Sequence, residues 1–267
     1  MTSRFTALRL TLSMLLVLAV AGCAAPLSED WSGYNPPLTP TESSNPVEGV
    51  PGAVPDAKPQ QVVPDCRVEK CVALTFDDGP GTYTPELLKT LADYDAKATF
   101  FLIGKNVVKH PEIVKAEFAA GHEIGNHTWS HEDLTKMSVA AAQKDLKKTD
   151  EAIKHAIGKN PTLIRPPFGA LGPALKKSLD VPVALWDVDT LDWKTRDTKK
   201  TVKAAEKVVP GSIVLMHDIH ESTVKAVPKI LEDLKSQGYH FVTVTQIIGN
   251  PKDGIGYGSG QSPATKK

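Results

Sequence analysis

Two adjacent aspartates, Asp77 and Asp78, end an apolar run and are followed at once by Gly79-Pro80. Successive side chains of a strand point to opposite faces, so both carboxylates can serve one site only where the strand breaks into a turn. Gly79-Pro80 supplies that break. We interpret the pair as a division of roles, in which one carboxylate binds a metal ion and the other remains a free base. A turn without chemistry is the alternative.

A second polar group is the segment NHTWSH, which places His127 and His131 four residues apart. On a helical turn such side chains share one face, so two imidazoles could hold one cation. The pair alone is a weak signal, but a carboxylate from a neighbouring strand end would complete a two-histidine, one-carboxylate set with positions left open. A divalent cation there would lower the pKa of a bound water molecule and supply a nucleophile near neutral pH.

The segment IRPPFG carries a third group. Arg165 is permanently charged and presents a rigid fork that suits a carboxylate, although a purely structural salt bridge is the alternative. Pro166 and Pro167 stiffen the loop that follows, so a backbone N–H near Phe168 could be directed at a developing oxyanion.

His217 ends a run of four apolar residues, an unusual place for a surface histidine. It could act as a general acid if a buried carboxylate holds its other ring nitrogen, and Asp192 is our candidate for that carboxylate. Trp193 and Leu215 would then form an apolar wall suited to a small methyl-bearing group. A second metal pair, His217 with His220, is the alternative.

The segments that carry these residues alternate between strand-like and helix-like patterns about seven times, which predicts an α/β fold with a mostly parallel sheet, either open or closed into a barrel. The predicted strands are Val72–Phe76, Ala98–Ile103, Glu123–Asn126, Thr162–Arg165, Val183–Val188, Ile213–His217 and Phe241–Val244. The predicted helices are Pro85–Tyr94, Pro111–Ala120, Ser138–Ile157 with Ser138 as N-cap, Gly172–Ser178, Thr198–Val208 and Ser222–Gln237. The candidate residues lie at the carboxyl ends of strands, where parallel α/β folds assemble their sites.

The N-terminus reads as an export signal. Arg4 and Arg9 precede an apolar run from Leu10 to Gly22, and Cys23 follows directly. The run is too short to span ~30 Å of hydrocarbon as a permanent helix. It resembles a bacterial lipoprotein signal in which Cys23 is lipidated, with a plain secretory signal or a buried helix as alternatives. We therefore expect a lipid-anchored protein on the extracytoplasmic face of the cell membrane.

Four segments follow from the composition. They are a signal peptide at 1–22, a lipidated cysteine with a disordered Pro- and Ser-rich tether at 23–65, one catalytic domain at 66–250, and a disordered tail at 251–267. The tether and tail have too few large apolar residues to offset the cost of ordering.

Cys66 and Cys71 stand just before the first predicted strand. In an oxidising compartment two nearby thiols usually pair, and closing so short a loop contributes ~2 kcal/mol in the chain-entropy model. We expect a disulfide; a metal pair or a redox dithiol is the alternative.

The overall composition excludes one class of partner. The 267 residues are 41% hydrophobic and 23% charged, and 31 basic residues balance 31 acidic ones. A nucleic-acid binder usually presents a basic face, so we expect no nucleic-acid partner.

Taken in order, these motifs resemble the polysaccharide deacetylase family, carbohydrate esterase family 4. The matching segments are TFDDGP at 75–80, HTWSH at 127–131, RPPFG at 165–169, DTLDW at 189–193 and LMH at 215–217. The resemblance covers about residues 66–250 and is specific because five motifs occur together in order. It implies an α/β fold, a distorted (β/α) barrel of about seven parallel strands in a single domain.

The resemblance also distributes the roles of the two aspartates. It implies that Asp77 is the catalytic base. It implies further that Asp78, His127 and His131 hold one divalent metal ion, zinc first, with cobalt, nickel or manganese as alternatives.

The remaining roles follow in the same way. The resemblance implies that Arg165 orients Asp77 and that Asp192 supports His217 as the acid. Phe168 stands where many members carry tyrosine. Because the backbone amide is thought to bind the oxyanion, this departure affects only packing against the substrate.

The leading hypothesis is hydrolysis of N-acetyl groups on a cell-envelope glycan, namely N-acetylglucosamine of peptidoglycan. An O-acetyl esterase on xylan or another acetylated polysaccharide is the second hypothesis. A non-catalytic glycan-binding lipoprotein and an iron oxygenase with a similar triad are the others. The expected partners are an acetylated polysaccharide and the membrane, and we expect a monomer.

Overall fold

A computed structural model describes residues 63–260 and 262–263, so the signal peptide, Cys23 and most of the tether lie outside the described residues. The strands are β1 (Cys71–Asp77), β2 (Ala98–Leu102), β3 (Glu123–Asn126), β4 (Val183–Ala184), β5 (Val188–Asp189), β6 (Ile213–His217), β7 (His240–Phe241), β8 (Gly256–Ser259) and β9 (Ser262–Pro263).

Helices connect most of these strands. They are α1 (Thr84–Asp93), α2 (Gly104–Lys109), α3 (Pro111–Ala119), α4 (Val139–Ile157), α5 (Pro173–Lys177), α6 (Asp192–Thr195), α7 (Thr198–Ala205), α8 (Glu221–Val224), α9 (Val227–Ser236) and α10 (Val244–Ile248). Single 3₁₀ turns occur at Leu134–Lys136 and Pro167–Gly169.

The parallel strands form an incompletely regular ring. The main sheet runs in the order β3-β2-β1-β6-β5, with β7 paired to the start of β1. Ile164 bridges Asn126 of β3 and Val183 of β4, and so joins this sheet to β4-β8-β9. The predicted distorted parallel barrel is confirmed, and its distortion arises where strands shrink to two residues or to one bridge.

Alternation along β1 separates the two sides of the barrel wall. Every residue of the strand is buried, as expected for a parallel sheet covered on both faces. Val72, Leu74 and Phe76 pack outward into the core shared with the helices. Ala73 belongs to the inner core, and the two side chains that follow on that face, Thr75 and Asp77, are polar.

The long helix α4 follows its sequence signals closely. The Ser138 side chain accepts a hydrogen bond from the Ala141 N–H, as an N-cap does, and Gly158 ends the helix in the left-handed region at φ +76°. The inward face is lined by small and aliphatic residues such as Ala142, Leu146 and Ile153. This prediction is confirmed because caps and periodicity agree.

Two predicted elements are divided in the structure. The predicted helix Ser222–Gln237 is two helices, α8 and α9, because Pro228 has no N–H to donate to the Val224 carbonyl. The predicted strand Val183–Val188 likewise consists of β4 and β5. Strand Thr162–Arg165 is reduced to the bridge at Ile164.

The C-terminal segment differs most from expectation. The predicted strand Phe241–Val244 stops at Phe241, because Thr243 and Gln246 form a capping box that starts α10. The tail predicted to be disordered from residue 251 contains β8, which pairs in parallel with β4 and buries Tyr257. A glycine in this segment permits close approach of the backbone: a Cβ at Gly254 would lie 2.5 Å from the Lys176 carbonyl oxygen.

The disulfide predicted between Cys66 and Cys71 is present at the entrance to β1. Among the helices of the described residues, none combines the length and apolar character that a bilayer crossing requires.

The fold buries one carboxylate of helix α3 without a polar partner among the described residues. Glu117 of α3 is fully buried, and neither carboxylate oxygen has a hydrogen-bond partner among the described residues. Burial, with a further contribution from the negative charge of Asp218, raises the pKa of Glu117 well above its ordinary value. The group is therefore held neutral where the unfolded chain would ionise.

This raised pKa predicts a pH-dependent loss of stability. A raised folded-state pKa stabilises fully below the unfolded pKa and loses that contribution as pH rises. The unfolding free energy of wild type minus that of Glu117→Gln should fall as the pH rises above the ordinary pKa of a glutamate, with a slope approaching ~1.4 kcal/mol per pH unit. Urea unfolding measures it. Glu112→Gln, an exposed glutamate of the same helix, should give a flat difference; a flat difference for both variants would contradict the assignment.

Candidate active site

The inner faces of β1 and β6 bring an aspartate and a histidine together. The two strands run in parallel register with Asp77 opposite His217 and Thr75 opposite Leu215. Because alternate residues point inward, both side chains at the carboxyl ends enter the same end of the barrel. Asp77 is 2% exposed and His217 is 8% exposed, so neither is a surface residue.

Asp78 leaves the strand in a different direction from Asp77. Its φ is +72°, a left-handed conformation that an aspartate tolerates better than most residues. Its Oδ1 lies 3.5 Å from Nε2 of His127 and 3.6 Å from Nε2 of His131. The break after the strand therefore separates the two carboxylates, as the sequence predicts.

The two histidines meet on a turn rather than on a helix. Thr128 and His131 both have left-handed φ values, +67° and +61°, which exclude a continuous helical turn. The Thr128 N–H donates to the Asn126 side chain, and the His131 N–H donates to the Thr128 hydroxyl. The helical argument for the spacing was therefore wrong, although the imidazoles do converge.

These three side chains have the properties of a metal-ion site. One ligand atom from each of Asp78, His127 and His131 lies within 4.8 Å of the others, and no other such group of three occurs in the described part of the chain. Oδ1 of Asp78 is buried and has no hydrogen-bond partner among the described residues, as expected for an atom that a cation would satisfy. Two imidazoles and a carboxylate suit zinc and related divalent ions.

The tautomer of His127 is also appropriate for a ligand. Its Nδ1 lies 2.6 Å from the Arg165 carbonyl oxygen, so Nδ1 carries the proton and Nε2 offers a lone pair. Burial lowers the pKa of His127, against the raising effect of the Asp77 and Asp78 carboxylates. A neutral imidazole is the form that binds metal.

Arg165 occupies the middle of the barrel. Its side chain is fully buried, and its Nη1 donates to the Asp77 carboxylate and to the Thr75 hydroxyl, each at 2.7 Å. Nε and Nη2 donate to the carbonyl oxygens of Ala184 and Leu185. The predicted contact between Arg165 and Asp77 is thus present, and it fixes the orientation of the carboxylate.

Aromatic rings hold the same guanidinium. Its central carbon lies 4.1 Å from the Phe101 ring centroid and 5.6 Å from that of Trp186. The Phe101 ring lies against Gly125, where a Cβ would come within 2.4 Å of it. A glycine at this inward position of β3 therefore makes room for the ring that covers Arg165.

Asp192 contacts His217, the partner that the sequence predicts for it. Its Oδ1 lies 2.9 Å from Nδ1 of His217, and its Oδ2 accepts hydrogen bonds from the His217 N–H and the Thr223 hydroxyl. Burial acts to lower the pKa of His217, but the hydrogen bond to Asp192 and the charge of Asp77 raise it to about 9. His217 therefore remains protonated at neutral pH with Nε2–H available to donate.

The loop after Arg165 presents the predicted backbone amide. Phe168 has φ +61° and lies between two turn hydrogen bonds, from Gly169 N–H to Pro166 O and from Ala170 N–H to Pro167 O. Neither of these bonds uses the Phe168 amide. The Phe168 ring is 68% exposed and packs edge-on against His131 at 4.8 Å, so this loop adjoins the metal-ion site.

The two residues of the predicted apolar wall differ in exposure. Leu215 is almost fully buried on β6, between Thr75 and Asp189 in register. Trp193 is 46% exposed on α6, directly after Asp192. Asp189 accepts a hydrogen bond from the Leu191 N–H and so shapes the turn that leads to Trp193.

The alternative role of His220 is not supported. Its Nδ1 lies 2.7 Å from Nη1 of Arg196, which must donate, so that nitrogen is not available to a metal ion. The ring stacks on His217 at 5.9 Å between centroids.

Several contacting residues were not identified from the sequence. Thr75 and Thr223 bind the buried charges of Arg165 and Asp192, and isolated threonines give no pattern that would reveal this. Asp218 follows His217 directly, and burial raises its pKa to about 7. A carboxylate at the end of a buried strand was a signal that could have been used.

Comparison with known proteins supports the same reading. The family model described as "Polysaccharide deacetylase" matches residues 65–181. A peptidoglycan-N-acetylglucosamine deacetylase of Listeria monocytogenes is 43% identical over 192 residues, which cover 70% of this chain and 41% of that relative. The chain thus spans about two fifths of the length of that relative.

A relative of similar size is known from Bacillus cereus. This peptidoglycan-N-acetylglucosamine deacetylase is 43% identical over 192 residues, covering 66% of this chain and 69% of the relative. A solved structure of a deacetylase with substrate superimposes with a TM-score of 0.71 at 49% identity, covering 72% of this chain and 98% of the other.

The contact between Asp192 and His217 predicts a measurable proton affinity. In the metal-free protein, NMR titration should find His217 protonated up to about pH 9. Asp192→Asn should lower that pKa by more than about one unit, because the opposing charge is removed while the geometry is kept. Asp187→Asn, which removes a carboxylate at the other end of β6, is the matched control. Equal titration of His217 in both variants would show that Asp192 has no such effect.

Proposed function

Since the chain belongs to the polysaccharide deacetylase family, carbohydrate esterase family 4, we propose that it hydrolyses N-acetyl groups of a cell-envelope glycan, namely N-acetylglucosamine of peptidoglycan. The observation that carries the proposal is the arrangement of Asp77 and His217 opposite each other, with the Asp78–His127–His131 group beside them. A base, an acid and a metal-ion site at one end of the barrel are the groups that amide hydrolysis requires.

The base is held ready by its neighbours. Asp77 accepts a hydrogen bond from Arg165, which keeps one carboxylate oxygen fixed and leaves the second directed toward His127. In the proposed reaction Asp77 accepts a proton from the attacking water molecule. Arg165 acts through Asp77 and is a positioning residue.

The acid is matched to an amide substrate. An amine is a poor leaving group unless it is protonated, so hydrolysis of an amide needs a proton at the nitrogen as the C–N bond breaks. His217, with its pKa raised to about 9, carries that proton at neutral pH. An ester oxygen needs this help less, and the relatives named as peptidoglycan-N-acetylglucosamine deacetylases support the N-acetyl over the O-acetyl substrate.

The negative charge that develops on the acetyl oxygen needs donors. The Phe168 amide is the backbone donor that we assign to it, at the loop beside His131. Trp193 and Leu215 supply apolar surface for the acetyl methyl group and the sugar. A divalent ion held by Asp78, His127 and His131, which we propose to be zinc, would act as a Lewis acid and lower the pKa of water.

Acetate release from three polymers tests this function. The expected result is release from peptidoglycan and from chitooligosaccharides, loss after treatment with a chelator, and recovery with zinc, cobalt, nickel or manganese. Asp77→Asn and His217→Ala, compared as folded proteins, should each lower turnover by about 10²–10⁴-fold, because each removes one proton transfer.

Three outcomes would contradict the proposal. Release from acetylated xylan alone would favour the O-acetyl esterase. Near-normal turnover of either variant would reject the role given to that residue. Binding of glycan without acetate release, in metal-loaded protein, would favour a non-catalytic glycan-binding lipoprotein.

We further propose that Cys23 carries a lipid that anchors the protein on the extracytoplasmic face of the cell membrane. The support is the sequence alone: a basic start, the short apolar run and the cysteine that follows it. All groups of the proposed mechanism come from one chain, so we propose a monomer whose specific activity does not change on dilution.

The anchor predicts a change of compartment. In a bacterial host the wild-type protein should fractionate with membranes and incorporate labelled palmitate. Cys23→Ala should remove the label and release the protein from the membrane fraction, because a lipid chain supplies the binding energy. Unlabelled wild-type protein would favour a plain secretory signal.

A further inference from the structure

The carboxylate of Asp78 is directed by the backbone that carries it. Its Oδ1 has no hydrogen-bond partner among the described residues, so nothing but the loop conformation turns it toward the two imidazoles. That conformation has φ +72°, and holding a non-glycine residue there costs on the order of 1 kcal/mol or more. The loop formed by residues 78–81 must therefore be held by contacts with the rest of the domain.

One side of this loop is held from the start of α2. The side-chain amide of Asn106 donates to the Asp78 carbonyl oxygen at 2.8 Å. The Ile103 N–H donates to the Gly79 carbonyl oxygen at 3.0 Å. These two bonds fix the peptide planes on either side of the turn after Asp78.

The other side is held through α1. The Gly81 N–H donates to the Thr84 hydroxyl at 2.8 Å, and the Thr84 N–H donates to the Gly81 carbonyl at 3.2 Å. The Thr84 hydroxyl in turn donates to Oδ2 of Asp218. Thr84 and Asp218 are both fully buried, so this chain of hydrogen bonds is shielded from competing water.

Asp218 also packs directly against the turn at Gly79. A Cβ at Gly79 would lie 2.7 Å from Oδ1 and 2.9 Å from Oδ2 of Asp218, so the glycine backbone rests directly against this carboxylate. Asp218 follows His217 in the chain. It therefore connects the loop that carries the metal ligand to the end of the strand that carries the acid.

We propose that Thr84, Asn106 and Asp218 are positioning residues that hold the loop of residues 78–81 and thereby set the affinity of Asp78 and the two imidazoles for a divalent ion. The inference rests on the proposed function in that it concerns the same metal-ion site. None of the three side chains belongs to the ligand group. Their effect reaches it through the backbone conformation of Asp78.

Zinc affinity measured without substrate tests this proposal. The dissociation constant of the whole protein is obtained by competition with a chromophoric chelator. Thr84→Val, Asp218→Ala and Asn106→Leu should each weaken zinc binding by about tenfold or more, because residues behind the ligands typically control affinity to that extent. In each of these variants, turnover relative to wild type should be closer to normal at saturating zinc than at limiting zinc, because saturation compensates for weaker binding.

Conservative variants separate positioning from general damage. Thr84→Ser keeps the hydroxyl and Asp218→Asn keeps an acceptor for it, so both should stay within about threefold of wild type. Thr90→Val is the matched control, since it removes an exposed hydroxyl from the same helix α1. Melting temperatures are measured for every variant, and if one fails to fold the other two disruptive variants decide.

Two results for zinc affinity would contradict the proposal. Folded Thr84→Val, Asp218→Ala and Asn106→Leu proteins with the wild-type dissociation constant for zinc would overturn the proposal, as would equal weakening in Thr84→Ser and Thr84→Val. Zinc affinity decides the positioning proposal, whereas acetate release decides the proposed function, so the two can fail separately.

Discussion

A buried positive charge organises the centre of this barrel. The Arg165 guanidinium has no access to solvent, and an unpaired charge in such a place costs several kcal/mol. Its surroundings are accordingly complete: one carboxylate, one hydroxyl, two carbonyl oxygens and two aromatic faces. The Asp77 carboxylate balances this charge, so it cannot turn away without leaving the guanidinium uncompensated.

The parallel register places His217 beside this ion pair. Asp77 and His217 occupy matched positions on adjacent strands, and each has its own fixed partner, Arg165 for one and Asp192 for the other. Each of the two groups is thus held by its own partner, and the charge of Asp77 also raises the pKa of its neighbour His217. The metal-ion site lies just outside the strand, where a left-handed residue has redirected the second aspartate.

Much of this site could be predicted because its residues stand at strand ends, where side-chain direction follows from simple alternation. The separation of the two aspartates and the pairing of Asp192 with His217 were both predictable on that basis. The turn that joins His127 to His131 was not, since left-handed threonine and histidine residues have no sequence signature. The threonine hydroxyls that bind buried charges were missed because isolated threonines give no recognisable pattern.

The fold was least predictable at its C-terminal edge. The small number of large apolar residues indicated disorder, yet Gly256 and Tyr257 pair with β4, and Ser259 bridges to Ser212 beside β6. The polypeptide therefore presents β4 with an unpaired edge between the synthesis of residue 184 and that of residue 256, and unpaired edges invite association with other chains. β8 can pair with β4 only after residue 256 has been synthesised. The topology therefore delays closure of the barrel until well after β4 itself has been synthesised.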